Sequence, residues 1–239
     1  MLPWERRLGR LGGQLCRQPA ASLAEAPPPG LLDGPFIAKP YVQLSTAAAA
    51  PDGTEQLSLL WHTPVGGHLE QWQVRWWQQG AGGGSPAPVT ATSTLVDLPG
   101  CCAHCVWRCQ LGGLRPGVRV SYEVERNGER AFSATAQPRK AADQPFHFAV
   151  AGDIGAGSPE QRTVAASLAA LNPDFVVVPG DFMYSNGRVA EYWASDFFGV
   201  YGADAVDPSV GGPLLRSVPI FGGLGQHDSE VSYPTGHDM

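Results

Sequence analysis

The chain has 239 residues, 43% hydrophobic and only 16% charged, which is apolar material enough for one large domain or two ordinary ones. A formal charge of −6, with 16 Lys and Arg scattered rather than striped, argues against a nucleic-acid footprint. No apolar run approaches the roughly 18 residues that a membrane span requires, so no transmembrane segment is expected.

The first ten residues, "MLPWERRLGR", carry three arginines, as the n-region of a signal peptide does. The next stretch, "LGGQLCRQPAASL", is broken by Gly, Gln and Arg and holds no continuous apolar core, so no clear signal peptide is expected. The proline-rich "AEAPPPG" then breaks the chain, and residues 1–34 read as a loosely ordered leader.

From 35 to 138 the rhythm has a period of two. Leu57, Leu59 and Trp61 share one face, as do Trp72, Val74 and Trp76. Val118, Val120, Tyr122 and Val124 alternate with Arg119, Ser121, Glu123 and Glu125, and "RNGE" then supplies the Asn-Gly of a tight hairpin. With "FIAKPYVQLST", "VTATSTLVDL", "CVWRCQL" and "AFSATAQ" there are about seven short strands, the pattern of an all-β sandwich of about 100 residues. The run "GAGGGSPAP" reads as a loose hairpin loop and not a phosphate cradle, because no helix comes after it.

Five cysteines is an odd count, and four of them crowd into "CCAHCVWRC". The spacing of Cys102 and Cys105, with His104 and Cys109 nearby, invites a zinc reading. The stronger reading is a core strand. Cys105, Trp107, Cys109 and Leu111 alternate with polar or smaller residues, so ligands along it would not converge on one ion. His62, His68, His104 and His147 lie on or beside strands without a ligand pattern and read as structural. The segment "LGGLRPGVRVSYEVERNG" resembles a fibronectin type III domain, a likeness that concerns fold and says little about activity.

Residues 139–145 read as a linker, after which the rhythm changes. "FHFAVAG" has strand length. "SPEQRTVAASLAALNP" places Val164, Leu168 and Leu171 on one helical face, with Ser158 as N-cap and Pro159 at the first helical position. "DFVVVPG" comes next as a second apolar strand, which makes a βαβ unit with parallel strands. A second helix is expected through Trp193, Phe197 and Val200, and "SVPIFGG" gives a third strand. The fold class is therefore multidomain: an all-β sandwich and then a partial α/β domain over 146–239.

In a parallel sheet the C-terminal strand ends share one edge, and ligands bind there. Asp153 lies just past the first strand, Asp181 past the second with Tyr184 three residues on, and Gln226, His227 and Asp228 past the third. Gly152, Gly180 and Gly225 precede these groups and are expected to permit a sharp exit from the sheet. Carboxylates, a phenol and an imidazole on one rim are what a two-metal hydrolytic centre needs.

In this order, "GDIG", "GDFMY" and "GQHD" resemble the first three motifs of the calcineurin-like metallophosphoesterases, and "GDxG" with "GDxxY" resembles the purple acid phosphatases. That family carries a fibronectin type III-like domain ahead of its catalytic domain. The resemblance implies phosphomonoester hydrolysis by a metal-bridging hydroxide, with a phosphate ester as substrate and two metal ions as cofactors, Fe(III) with Fe, Zn or Mn. It implies Asp153 on the first metal, Asp181 bridging both, Tyr184 on the ferric ion as phenolate, and His227 beside the phosphoryl group. It also implies a secreted or periplasmic location. Two departures stand out. Gln226 replaces the family's asparagine, adding a methylene to that ligand, and only His237 remains downstream where the family supplies further histidines. The chain thus reads as the N-terminal half of such a catalytic domain. A non-catalytic binding protein with a degenerate phosphatase half, and a phosphodiesterase or nucleotide pyrophosphatase, are the alternatives.

Overall fold

A computed structural model describes residues 34–45, 53–78, 80, 87–97, 103–182, 184 and 197–228. The leader up to 33, Cys101, Cys102, Trp193 and His237 lie outside the described residues, as do the side chains of His68 and Gln226.

Among the described residues the first half forms eight strands: β1 (Ala38–Leu44), β2 (Glu55–Pro64), β3 (Trp72–Gln78), β4 (Val89–Thr90), β5 (Thr92–Asp97), β6 (Ala103–Leu114), β7 (Val120–Arg126) and β8 (Glu129–Ala136). They build two four-stranded antiparallel sheets, ordered β1-β2-β6-β5 and β4-β3-β7-β8. The period-two residues fill the space between: Leu57, Leu59, Trp61, Trp72, Val74, Leu111, Val120, Tyr122 and Val124 are all fully buried. Trp76 and Val118 are the exceptions: Trp76 is half-buried at the margin of this core, and Val118 is half-buried ahead of the start of β7. Trp61 packs on Trp72 at 5.6 Å and stacks on Trp107 at 6.2 Å. Cys105 and Cys109 are buried in the same core as thiols, and burial pushes the Cys109 thiol up to about 12. The β7–β8 turn has φ of 52° at Asn127 and 86° at Gly128, the left-handed pair that a two-residue hairpin of this twist requires.

The second half contains β9 (Phe148–Val150), α1 (Pro159–Leu171), β10 (Phe175–Val178), α2 (Phe198–Tyr201), β11 (Gly202–Asp207), β12 (Gly211–Pro213) and β13 (Ile220–Gly222). Strands β9, β10 and β13 are parallel, in the order β13-β10-β9. Ser158 caps α1, accepting from the Gln161 N–H at 3.3 Å, while the Gln161 side chain accepts from the Gly157 N–H at 2.6 Å. These two bonds satisfy donors that a bare helix start would leave open.

The buried face of α1 differs from the expected one. It carries Gln161, Ala165, Ala166 and Leu168, whereas Val164 and Leu171 are exposed. The reason is close approach of the β11–β12 ribbon, which the sequence pattern does not signal. A Cβ on Gly212 would lie 2.6 Å from the Ala169 Cβ and 2.7 Å from the Ala165 carbonyl oxygen, so small residues meet there. Of the second expected helix, the described part is only the short α2, with Phe197 and Val200 buried.

The two halves share a packed boundary. Ala38 belongs to the core of the second half, and Ile37 and Tyr41 pack against it. The Val42 N–H donates to the Leu215 carbonyl at 2.9 Å, and the Tyr122 hydroxyl donates to the Arg216 carbonyl at 2.8 Å. Asp204 bridges Lys39 at 2.6 Å and Arg216 at 3.0 Å, and these cations hold its carboxyl below the usual range. His62 and His104, both buried, stack at 5.3 Å beneath Phe198, with the Tyr41 hydroxyl 2.9 Å from His62 Nε2.

Candidate functional site

Because β10 is the middle strand, the loop leaving it is flanked by the loops that leave β9 and β13. Asp181 occupies that middle position, with Asp153 on one side and His227 on the other. The Ile154 N–H donates to the Asp181 carbonyl at 3.1 Å and the Asp153 N–H to the Gly180 carbonyl at 3.4 Å, which ties the first two loops together. Buried Tyr201 donates its hydroxyl to the Ile154 carbonyl at 3.1 Å and supports the loop from beneath.

The expected role of the glycines needs correction. Gly152, Gly180 and Gly225 do not take positive φ; Asp153 (φ 55°) and Asp181 (φ 56°) do so themselves. Non-glycine residues enter this region at a cost of about 1–2 kcal/mol, less for Asp than for most, and such strain gathers at functional loops. Gly180 and Gly225 serve a different need. Their backbones touch, so a Cβ on Gly180 would sit 2.7 Å from the Gly225 Cα, and one on Gly225 would sit 2.1 Å from Asp181 Oδ1.

The side chains converge. The Tyr184 hydroxyl donates to Asp153 Oδ1 at 2.5 Å, and its ring lies 4.6 Å from that of His227. Asp181 Oδ1 accepts from the His227 N–H at 2.9 Å. Asp228 Oδ2 accepts from the Asp181 N–H at 2.8 Å and the Gly225 N–H at 2.7 Å. Gln226 starts the short 3-10 turn Gln226–Asp228 on the same rim, and the position of its amide lies outside the described residues. The sequence thus indicated Asp153, Asp181, Tyr184 and His227 as neighbours, and they are. It gave no role to Asp228 in the constellation, although the residue closes the "GQHD" motif.

The phenol of Tyr184 is pushed up to about 12, first because it donates to Asp153, then through desolvation and the charges of Asp153, Asp181 and Asp228. A phenol held protonated by surrounding carboxylates marks a strongly negative rim, and an added cation is what such a donor set favours. Among the described residues no group of three or more His, Cys, Asp or Glu is arranged to hold a metal ion. The fit therefore rests on two carboxylates and a phenol, all oxygen donors suited to a hard cation.

No family model and no curated protein matches the chain. Among solved structures, it resembles the purple acid phosphatase PPD1 from yellow lupin (Lupinus luteus) seeds, with a TM-score of 0.59 at 15% identity over 87% of this chain. It also resembles PhoD, with a TM-score of 0.50 at 15% identity over 82% of this chain. The chain spans 37% and 40% of the lengths of those two proteins. At such identity the likeness shows the fold alone: a mostly β chain with few helices that shares the architecture of phosphatase structures.

Proposed function

We propose that this chain carries the first part of a metal-dependent phosphoric ester hydrolase site of the purple acid phosphatase kind, preceded by a sandwich of the fibronectin type III kind. The observation that carries the reading is the meeting of Asp153, Asp181, Tyr184 and His227 at the ends of adjacent parallel strands. The strand orders β1-β2-β6-β5 and β4-β3-β7-β8 support the sandwich assignment. The similarity to the lupin phosphatase over most of this chain supports the combination.

In this reading Asp153, Asp181 and Tyr184 hold two metal ions, Fe(III) with Fe, Zn or Mn, and Gln226 offers a further amide oxygen. When bound, such ions supply Lewis acidity toward a phosphoryl oxygen and a nucleophilic water near neutral pH. Asp181, in the middle of the rim, would be the carboxylate shared between them. To ligate iron Tyr184 would have to give up the proton it now donates to Asp153, releasing it to solvent so that both the phenolate and the Asp153 carboxylate are left as oxygen donors. His227, its ring tilted against that of Tyr184, would orient the phosphate ester and protonate its leaving oxygen.

The test is spectroscopic first. Adding Fe(III) to the 239-residue chain should produce a visible phenolate-to-iron absorption band that Tyr184→Phe abolishes. Asp153→Asn with Asp181→Asn should remove Fe(III) and Mn²⁺ binding in calorimetry. Absence of any binding by the wild-type chain, or binding indifferent to these changes, would overturn the metal reading in favour of a non-catalytic binding protein. Hydrolysis of p-nitrophenyl phosphate against a bis-ester then separates phosphomonoesterase from phosphodiesterase.

A further inference from the structure

Asp228 binds the backbone of two loops at once. A single oxygen, Oδ2, takes the Asp181 N–H at 2.8 Å and the Gly225 N–H at 2.7 Å. Asp181 answers in the opposite direction, its Oδ1 taking the His227 N–H at 2.9 Å. The loop after β10 and the loop after β13 therefore hold each other reciprocally, each by a carboxylate on the other's amides. Gly225 sits inside this clasp with no room for a side chain, since a Cβ would fall 2.1 Å from Asp181 Oδ1 and 2.3 Å from the Asp181 nitrogen.

We infer that Asp228 is a positioning residue, which fixes the strained backbone of Asp181 and the height of His227 over the rim before any ligand arrives. Three features carry this. Asp181 stands at φ 56°, a conformation that needs outside support to persist. Its amide, turned away from the sheet ladder by that conformation, is satisfied by the Asp228 carboxylate. Charge-assisted bonds from a carboxylate to amides are about twice as strong as neutral ones, so one side chain holds both loops. The clasp holds Asp181 Oδ1 to the His227 N–H and so fixes the orientation in which the Asp181 carboxylate would meet a cation. In that respect the inference rests on the proposed metal site.

The experiment uses the full chain with Asp228→Ala, Asp228→Asn and Asp228→Glu. Amide hydrogen exchange at Asp181, Gly225 and His227 reports the clasp, and calorimetry with Mn²⁺ reports its consequence. Ala removes the acceptor, and Glu keeps the charge but overshoots by a methylene. Both should speed exchange at Asp181 and Gly225 by about tenfold or more and weaken Mn²⁺ binding about as much. Asn keeps an oxygen at the same place without the charge and should fall between wild type and Glu on both readouts. Should Ala not fold, the Glu and Asn pair decides alone. Asn as damaging as Glu, or exchange unchanged in Glu, would overturn the positioning role. A wild-type chain that binds no Mn²⁺, yet shows the exchange pattern, would sink the metal reading and leave the clasp standing.

Discussion

The sandwich and the parallel sheet are both apolar, but they use that apolarity differently. The sandwich buries one face of each sheet against the other, and its interior is complete: Trp61, Trp72, Leu57, Leu111 and Tyr122 are fully buried. Among the described residues, the parallel sheet is packed on one side only. Val176, Val178 and Ile220 face α1 and α2, while Phe146, Phe148, Val150 and Phe221 are 60%, 51%, 59% and 44% exposed. On this open side Phe148 stacks flat on Phe175 at 5.1 Å, and Phe221 meets Phe175 edge-on at 5.6 Å. Phe146, Phe175 and Phe221, with the boundary segment around Arg139 and Lys140, line an apolar cavity of about 650 Å³. Parallel strands are ordinarily buried on both faces. The half that carries the candidate site thus has the thinner core, and it borrows Ala38, Ile37 and Tyr41 from β1 and its approach to complete it.

That contrast sets the largest expected effect. Trp61→Ala should cost about 3–5 kcal/mol, because a cavity opens among Trp72 and Trp107 with nothing able to refill it. Leu168→Ala on α1, beside a helix face already lined by alanine, should cost nearer about 2 kcal/mol. Urea unfolding of both variants checks the ranking. A Leu168 variant as damaging as the Trp61 variant would mean that the two cores are equally committed.

The boundary between the halves should be the acid-sensitive element. Burial first, and the neighbouring His104 second, lower His62 to about 3. Above the unfolded value of 6.5 both states hold this ring neutral, and its burial is harmless. Below it the unfolded chain takes up a proton that the folded chain refuses, so stability falls with falling pH until about pH 3. The slope from this residue is one proton, roughly a tenfold rise in the unfolding constant for each pH unit. His62→Phe should flatten the fall between about pH 6 and pH 4 by that amount. An unchanged slope in that variant would mean that other groups carry the acid response.

Much of this was legible because periodicity reports which face is buried. The alternation at Val120–Val124 and at Cys105–Leu111 named core residues without tertiary information, and the Asn-Gly of "RNGE" named the turn. The site was legible for a topological reason: parallel strands deliver their exit loops to a single edge, so three short motifs far apart in sequence had to meet. The unreadable part was set by close approach between segments. The β11–β12 ribbon has too few side chains to show a period, and it determined which face of α1 is buried. The contact of Gly180 with Gly225 explains why glycine stands there, and no pattern local to either loop contains it. Asp228 had no legible role for the same reason, since its partners are amides and amides carry no sequence signal.

Tyr184→Phe separates the site from the fold. The hydroxyl is bonded to an exposed carboxylate, so its removal lets water solvate Asp153, and stability should change by less than about 1 kcal/mol. Iron-dependent colour should vanish in the same variant. A large loss of stability would instead make the Tyr184–Asp153 bond part of the structural support for the loops.

The smallest effect belongs to the open face of the parallel sheet. Val150 stands on the edge strand β9 with its side chain 59% exposed. Val150→Thr keeps the β-branched shape that suits a strand and changes only a methyl for a hydroxyl. On a face open to water the hydroxyl is solvated, and the cost in urea unfolding should lie within about 0.5 kcal/mol. On a covered face the same hydroxyl would be buried without a partner, which costs about 1–3 kcal/mol. One conservative substitution therefore reads whether this face meets solvent in the folded chain, and a loss above about 1 kcal/mol would erase the asymmetry between the two halves.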